Sequence, residues 1–258
     1  MEVISSRQNT LVKQLKKLID SKKARSEHAQ VVAEGAHLLD IQLSAGIRPE
    51  LIVVAQSCVN LPEITGLLER VPSVRRVVLT DSIFDQIAPA DAPSGLLTVS
   101  AAVSNDQAPL ATVDTLLLDR VQDPGNVGSL IRTAVAAGVR QIVLSGGCAD
   151  PWSPRCLRAG QGAQWLAKLY PDVLLEDFVG AFKGSIAATV LDGGTNLYSH
   201  QLMQATAWLF GNEGQGVKPE LIQMASHRIT IPMPGGMESL NVNAAAAVCL
   251  FEQVRQRL

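Results

Sequence analysis

Apolar and polar positions change rhythm several times along the chain. Near the N-terminus Leu11, Leu15, Leu18 and Ile19 fall at i, i+4, i+7 and i+8, while Lys13, Lys16, Lys17, Lys22 and Lys23 lie mostly off that stripe. This spacing predicts one amphipathic helix. Short apolar runs then alternate with helical patterns: strands over Val31–Glu34, Leu51–Ala55, Val74–Leu79 and Leu96–Val103, with helices ending near Gly46 and covering Pro62–Val71 and Asp81–Ala88. The array stops at the turn-rich segment 104–109, Ser-Asn-Asp-Gln-Ala-Pro, which reads as a linker. A second alternation follows. Strands are expected at Leu116–Arg120, Gln141–Leu144, Ile186–Leu191, Thr206–Phe210 and Arg228–Ile231, and helices at Asn126–Ala137, Leu175–Phe182, Pro219–Ala225 and from about Leu240 to Arg257. Strand–helix alternation implies an α/β fold with a mainly parallel sheet. The expected division is a smaller α/β domain over 1–107 and a larger domain over 108–258.

Composition narrows this picture. With 47% hydrophobic and 18% charged residues, the chain is too apolar to be disordered. No apolar run approaches a membrane span, and the start of the chain lacks the pattern of a secretory signal. Cys58, Cys148, Cys156 and Cys249 have neither zinc-site nor disulfide-framework spacing, so a cytoplasmic protein with free thiols and no metal is expected. The net charge of −2 conceals an asymmetry: residues 1–25 carry +5, residues 26–107 carry −6, and the remainder −1. Such an arm either grips phosphates or forms a solvated helix face.

Three loops after expected strands are rich in Gly, Pro and amides: 119–128, 211–216 and 231–243. Together they suggest one pocket at the carboxyl ends of the strands. G-x-G-x-x-G after a strand, the P-loop pattern, H-E-x-x-H, G-x-S-x-G and C-x-x-C are all absent. Nicotinamide enzymes, P-loop NTPases, Rossmann-type methyltransferases, metalloproteases and α/β-hydrolases therefore lack support. His28, His37, His200 and His227 lie outside the loops and read as structural or surface residues.

The ordered residues Asp123-Pro124-x-Asn126-x-Gly128 with Arg132-Thr133-Ala134, then Gly211-x-Glu213-Gly214-x-Gly216, then Ile231-Pro232-Met233 and Glu238-Ser239-Leu240-Asn241-Val242 resemble the three motifs of the SpoU/TrmH family. These are RNA ribose 2′-O-methyltransferases of the SPOUT superfamily. The resemblance covers most of 113–255 and extends to the connector around Asp150–Arg155 and Arg158–Ala163, where Gly160-Gln161 departs from the usual serine-containing pattern. Residues 1–104 resemble more loosely the substrate-binding domain preceding many family members, through Ser6-Arg7-Gln8-Asn9 and Val32-Ala33-Glu34-Gly35.

The resemblance implies S-adenosyl-L-methionine as cofactor, a C-terminal trefoil knot and a homodimer with active sites near the subunit interface. It implies catalytic roles for Asn126, Arg132, Glu213, Ser239 and Asn241, and cofactor contacts for Leu191, Gly211, Asn212, Gly216, Ile231, Met233 and Leu240. Asn126 is expected also to cap its helix, as is Ser239 at the last helix. Glu213 is expected to orient Arg132 or Asn126. A guanidinium keeps its proton far above neutral pH. Arg132 therefore suits fixing the nucleotide and stabilising an emerging oxyanion better than accepting a proton. RNA contacts are expected from Arg7, Lys13, Lys16, Lys17, Lys22 and Lys23. The substrate is expected to be ribosomal RNA. A transfer RNA enzyme and a non-enzymatic RNA assembly factor are the alternatives.

Overall fold

The computed structural model describes residues 2–90, 92–103, 105 and 107–258. The first compact unit begins with β1 (Glu2–Ile4), α1 (Thr10–Asp20), α2 (Lys22–His28), β2 (Gln30–Glu34), α3 (Ala36–Ser44) and β3 (Leu51–Ala55). It continues through α4 (Pro62–Glu69), β4 (Arg75–Leu79), α5 (Asp81–Ile87) and β5 (Leu96–Ala101). Its five strands are ordered β1-β4-β3-β5-β2; β1, β3 and β4 run parallel, and β5 pairs antiparallel with β2 and β3. β3 is buried at all five positions, as expected for a continuous apolar run inside a sheet covered on both faces.

The expected single N-terminal helix is broken in two. Ser21 is extended: its backbone N–H closes α1 on Lys17, and its hydroxyl accepts from Ala24 N at 3.2 Å to open α2. Arg25 is buried, and its guanidinium donates to the Leu18 and Ile19 carbonyls at 2.6 and 2.9 Å. One of the seven basic residues of the arm thus satisfies the open C-terminal carbonyls of α1. The buried stripe of α1 is Val12, Leu15 and Leu18, with Leu11 and Ile19 partly buried beside it.

The second unit contains β6 (Thr115–Asp119), α6 (Pro124–Ala136) and β7 (Gln141–Ser145). After β7 the chain forms α7 (Pro154–Gly160), then β8 (Lys168–Val173), α8 (Leu175–Ala181), β9 (Ser185–Thr189), β10 (Thr195–Asn196), β11 (Thr206–Gly211), α9 (Pro219–Met224), β12 (His227–Thr230) and α10 (Val242–Arg257). The sheet order is β10-β12-β9-β11-β6-β7-β8, with every pairing parallel. α10 packs on α6 and β11. Its C-terminal half is tied to the sheet through Trp208 Nε1, which donates to Gln253. Gln253 Nε2 in turn donates to Asp114 Oδ1 at 2.9 Å, and Arg257 pairs with Asp114. Burial pushes the Cys249 thiol on this helix up to about 12, so it packs as a small apolar group.

The units differ from the expected division at 107/108. The first comprises the chain up to Val103 together with Trp152–Trp165; the second takes the segment through Pro151 and Leu166–Leu258. The return segment joins the first unit because Leu157 on α7 and Trp165 pack with Val31, Ala33 and Leu38. Of the expected linker, Ser104 and Asp106 lie outside the described residues, while Asn105 Nδ2 donates to the Leu169 carbonyl at 2.8 Å.

Candidate active site

Two helix starts and one tight loop build the site. Asp123, not Asn126, caps α6: its Oδ1 accepts from Asn126 N at 2.9 Å, and Pro124 supplies a first-turn residue that needs no N–H partner. Asn126 is thereby a first-turn helical residue, and its amide is released from capping. At α10 the cap is Asn241 rather than Ser239: Asn241 Oδ1 accepts from Asn243 N at 2.9 Å, and Ser239 lies two residues earlier in the exposed loop. An uninterrupted helical pattern carries no sign of which amide or hydroxyl turns back on the backbone.

The loop after β11 closes on itself. Asn212 and Gly216 exchange backbone hydrogen bonds at 3.1 and 2.8 Å, and Asn212 Oδ1 accepts from Gly214 N and Gln215 N, both at 3.0 Å. Gly216 turns the chain at φ +68°, and a Cβ on Gly211 would collide with the backbone of Gly216 and Val217. Only glycines permit this pinch. Asn212 Nδ2 also donates to the Arg120 carbonyl at 2.9 Å, so its whole amide is used in shaping the loop.

A cavity of about 620 Å³ lies at the carboxyl ends of β9, β11 and β12. All seven residues expected to contact a cofactor line it: Leu191, Gly211, Asn212, Gly216, Ile231, Met233 and Leu240. Glu213, Ser239 and Asn241 line it too. The end of β9 was legible only through Leu191; Thr189 and Val190 join it, and Ile222 and Ala245 close the cavity from α9 and α10. The loop after β6 contributes no lining residue and connects by hydrogen bonds instead.

Those bonds form a chain. Asn126 Nδ2 donates to Glu213 Oε1 at 2.8 Å, and Asn243 Nδ2 donates to Asn126 Oδ1 at 2.7 Å. The Glu213 carboxylate also accepts from Gln122 N and Asp123 N at 3.4 and 3.3 Å, just ahead of α6. Partial burial pushes Glu213 up, but the Asn126 amide and these backbone donors outweigh it and hold the carboxyl below its ordinary range. Glu213 thus orients Asn126 and not Arg132. Arg132 is exposed on α6, and its side chain makes no hydrogen bond or ion pair among the described residues. Asn243 was not among the expected site residues.

A second network braces the glycine loop. Asp119, fully buried at the end of β6, accepts from Arg120 Nε and Nη2, both at 3.0 Å, and from Lys218 N at 2.9 Å. Arg120 Nη1 continues to Gln215 Oε1 at 2.9 Å. Arg120 sits at φ +55°, a strained conformation for a residue with a Cβ. In the first unit, Arg7, Lys13, Lys16, Lys17, Lys22 and Lys23 are all exposed. Lys16 pairs with Asp20 at 3.2 Å and Lys23 with Glu27 at 3.7 Å. Among the described residues no helix is long and apolar enough to cross a membrane, and no cluster of three metal-ligating side chains occurs.

Comparison with known proteins agrees with this geometry. The chain is 34% identical to an uncharacterized tRNA/rRNA methyltransferase of Synechocystis over 98% of this chain and 94% of that protein. It is 32% identical to the 23S rRNA (guanosine(2553)-2′-O)-methyltransferase of Bacillus subtilis over 97% and 98% of the two chains. The AdoMet-bound rRNA methyltransferase structure from Sinorhizobium meliloti superposes with a TM-score of 0.85 at 28% identity, covering 100% of this chain and 98% of that one. Residues 9–98 match the MRM3-like substrate binding domain. Residues 115–251, which hold the cavity and its hydrogen-bond chain, match the SpoU rRNA Methylase family, and the chain belongs to that family.

Proposed function

We propose that the protein is an S-adenosyl-L-methionine-dependent methyltransferase acting on a ribose 2′-hydroxyl of ribosomal RNA, in the cytoplasm and as a homodimer. The observation that carries this reading is the hydrogen-bonded chain Glu213–Asn126–Asn243 beside a cavity walled by glycine backbone and apolar side chains. The cavity residues fit the cofactor chemically. Leu191, Ile231, Met233 and Leu240 offer apolar surface to an adenine ring, the pinched 211–216 loop offers close backbone, and the ionised Glu213 suits a nearby positive charge. When bound, the cofactor supplies an activated methyl group on a sulfonium.

The chain's own residues must orient the hydroxyl and exclude water. Asn126, turned by Glu213, presents its remaining Nδ2 hydrogen to the ribose, with Ser239 and Asn241 supplied by the loop ahead of α10. Arg132, uncommitted to any described partner, holds an RNA phosphate and stabilises the oxyanion as the hydroxyl loses its proton. The exposed lysines of α1 and α2, with Arg7, contact RNA phosphates. The same reading includes the trefoil knot. The parallel insertion of β11 between β6 and β9 and the packing of α10 on α6 support it. Exposed Met237, Leu240 and Phe251 support a dimer.

The test is methyl transfer by the full-length protein to 23S rRNA and to tRNA, followed by mapping of riboses that resist alkaline cleavage. New resistance in 23S rRNA is expected. Methylation confined to bases or to tRNA, or none at all, rejects the reading.

A further inference from the structure

We infer that Asn243, the second residue of α10, is a positioning residue that fixes which way the Asn126 amide faces; the inference rests on the ribose methyltransferase reading above. The two ends of an asparagine amide are nearly identical in shape and are told apart only by their hydrogen bonds. Glu213, ionised and able only to accept, draws the Nδ2 end of Asn126 to 2.8 Å. That choice turns Oδ1 of Asn126 toward α10 and requires a donor there. Asn243 Nδ2 is that donor, at 2.7 Å. The side chain is held at this place because its own backbone N–H is bound by the Asn241 cap.

The arrangement carries a cost that marks it as functional. Asn243 Oδ1 is buried and, among the described residues, has no hydrogen-bond partner. Buried polar atoms are seldom left unpaired. Turning the Asn243 amide over would present this oxygen to Asn126 Oδ1, acceptor against acceptor, and would free Asn126 to turn as well. The unpaired oxygen is therefore the consequence of keeping the donor on Asn126. With both ends of its amide tied, Asn126 has a single orientation and one remaining Nδ2 hydrogen for the substrate.

The test uses the intact protein with 23S rRNA saturating and S-adenosyl-L-methionine varied up to saturation, so that kcat and the cofactor KM are read separately. Asn243→Asp keeps the shape and removes the donor, while Asn243→Ala removes the whole amide. Each is expected to lower kcat about tenfold, with KM for S-adenosyl-L-methionine changed less than about twofold. In the Asn126→Ala background, Asn243→Ala is expected to add less than about a further twofold, since it acts through the missing amide. Wild-type kcat in Asn243→Ala, or effects that multiply in the double variant, overturns the inference. A second arm needs no activity: the Asn126 side-chain amide protons, assigned by their absence in Asn126→Ala, are followed by NMR hydrogen exchange. Faster exchange in Asn243→Asp at unchanged thermal stability is expected, and unchanged exchange overturns the inference. A wild-type protein that methylates no ribose rejects the functional reading alone, and the amide arm still decides the role of Asn243.

Discussion

Asp119 shows how much of the site one side chain can set. Its carboxylate joins the end of β6 to Arg120 and to the backbone after the glycine loop, with no exposure to water. Asp119→Ala leaves Arg120 without its carboxylate partner, with the Gln215 side of its guanidinium still held, and Lys218 N without an acceptor. Arg120 is partly exposed and regains some hydration, so a loss of about 2–3 kcal/mol is expected in urea denaturation. Cofactor affinity should fall in the same variant, because Arg120, which braces Gln215, is no longer anchored on Asp119. Arg132 gives the opposite pattern. Arg132→Ala should leave unfolding within about 0.5 kcal/mol of wild type, since the side chain is exposed and unpaired among the described residues, yet abolish methyl transfer. Arg132→Lys should also be poor, because an ammonium lacks the planar fork. Glu213 adds a pH signature. A carboxyl with a lowered pKa keeps its interactions above its ordinary value and loses them as pH falls through the lowered one. Cofactor affinity should therefore weaken on acidification below the ordinary carboxylate range, and titration calorimetry of Glu213→Gln should show a flatter profile there.

At the scale of elements, α1 and α2 separate basic residues that a sequence treats alike. Arg25→Ala removes two charge-assisted hydrogen bonds from the end of α1 and should cost about 1.5–3 kcal/mol in thermal or urea unfolding. Lys13→Ala, on the exposed face of the same helix, should stay within about 0.5 kcal/mol. The alternation of the chain made most strands legible, because β3, β6 and β7 are apolar runs buried on both faces. What escaped lies at edges and interruptions. β1 and β10 are edge strands of three and two residues, too short to show a period. β8 is an edge strand interrupted by Pro171 and by Asp172 at φ +57°, where the missing ladder donor is tolerated. The helix break at Ser21 depends on one hydroxyl choosing a cap. The loops that wall the cavity were legible through their glycines, whereas the pairing of Asn243 with Asn126 joins residues 117 positions apart and leaves no local pattern.

For the whole molecule, the interleaving of the two units decides how RNA binding can be tested. Removing residues 1–107 would strip Leu157 and Trp165 of the apolar partners Val31, Ala33 and Leu38, so the basic arm is best probed by substitution in the full chain. Neutralising Lys13, Lys16, Lys17, Lys22 and Lys23 as glutamines touches no buried position, and folding should survive. Removing one lysine–phosphate interaction lowers the log–log salt slope of binding by roughly 0.7–0.9. Five lysines set an upper limit that the arm does not reach, because they project from more than one side of two helices and two of them already pair with Asp20 and Glu27. A fall of about 1.5–2.5 in slope is expected, equivalent to about two or three phosphates released. Cofactor affinity should not change, since all the cavity residues lie at Thr189 and beyond. The measurement is rRNA affinity against salt concentration for the wild type and the five-fold variant. Coincident slopes would mean that these lysines are only a solvated face, and that the positive charge meeting RNA is carried elsewhere on the chain.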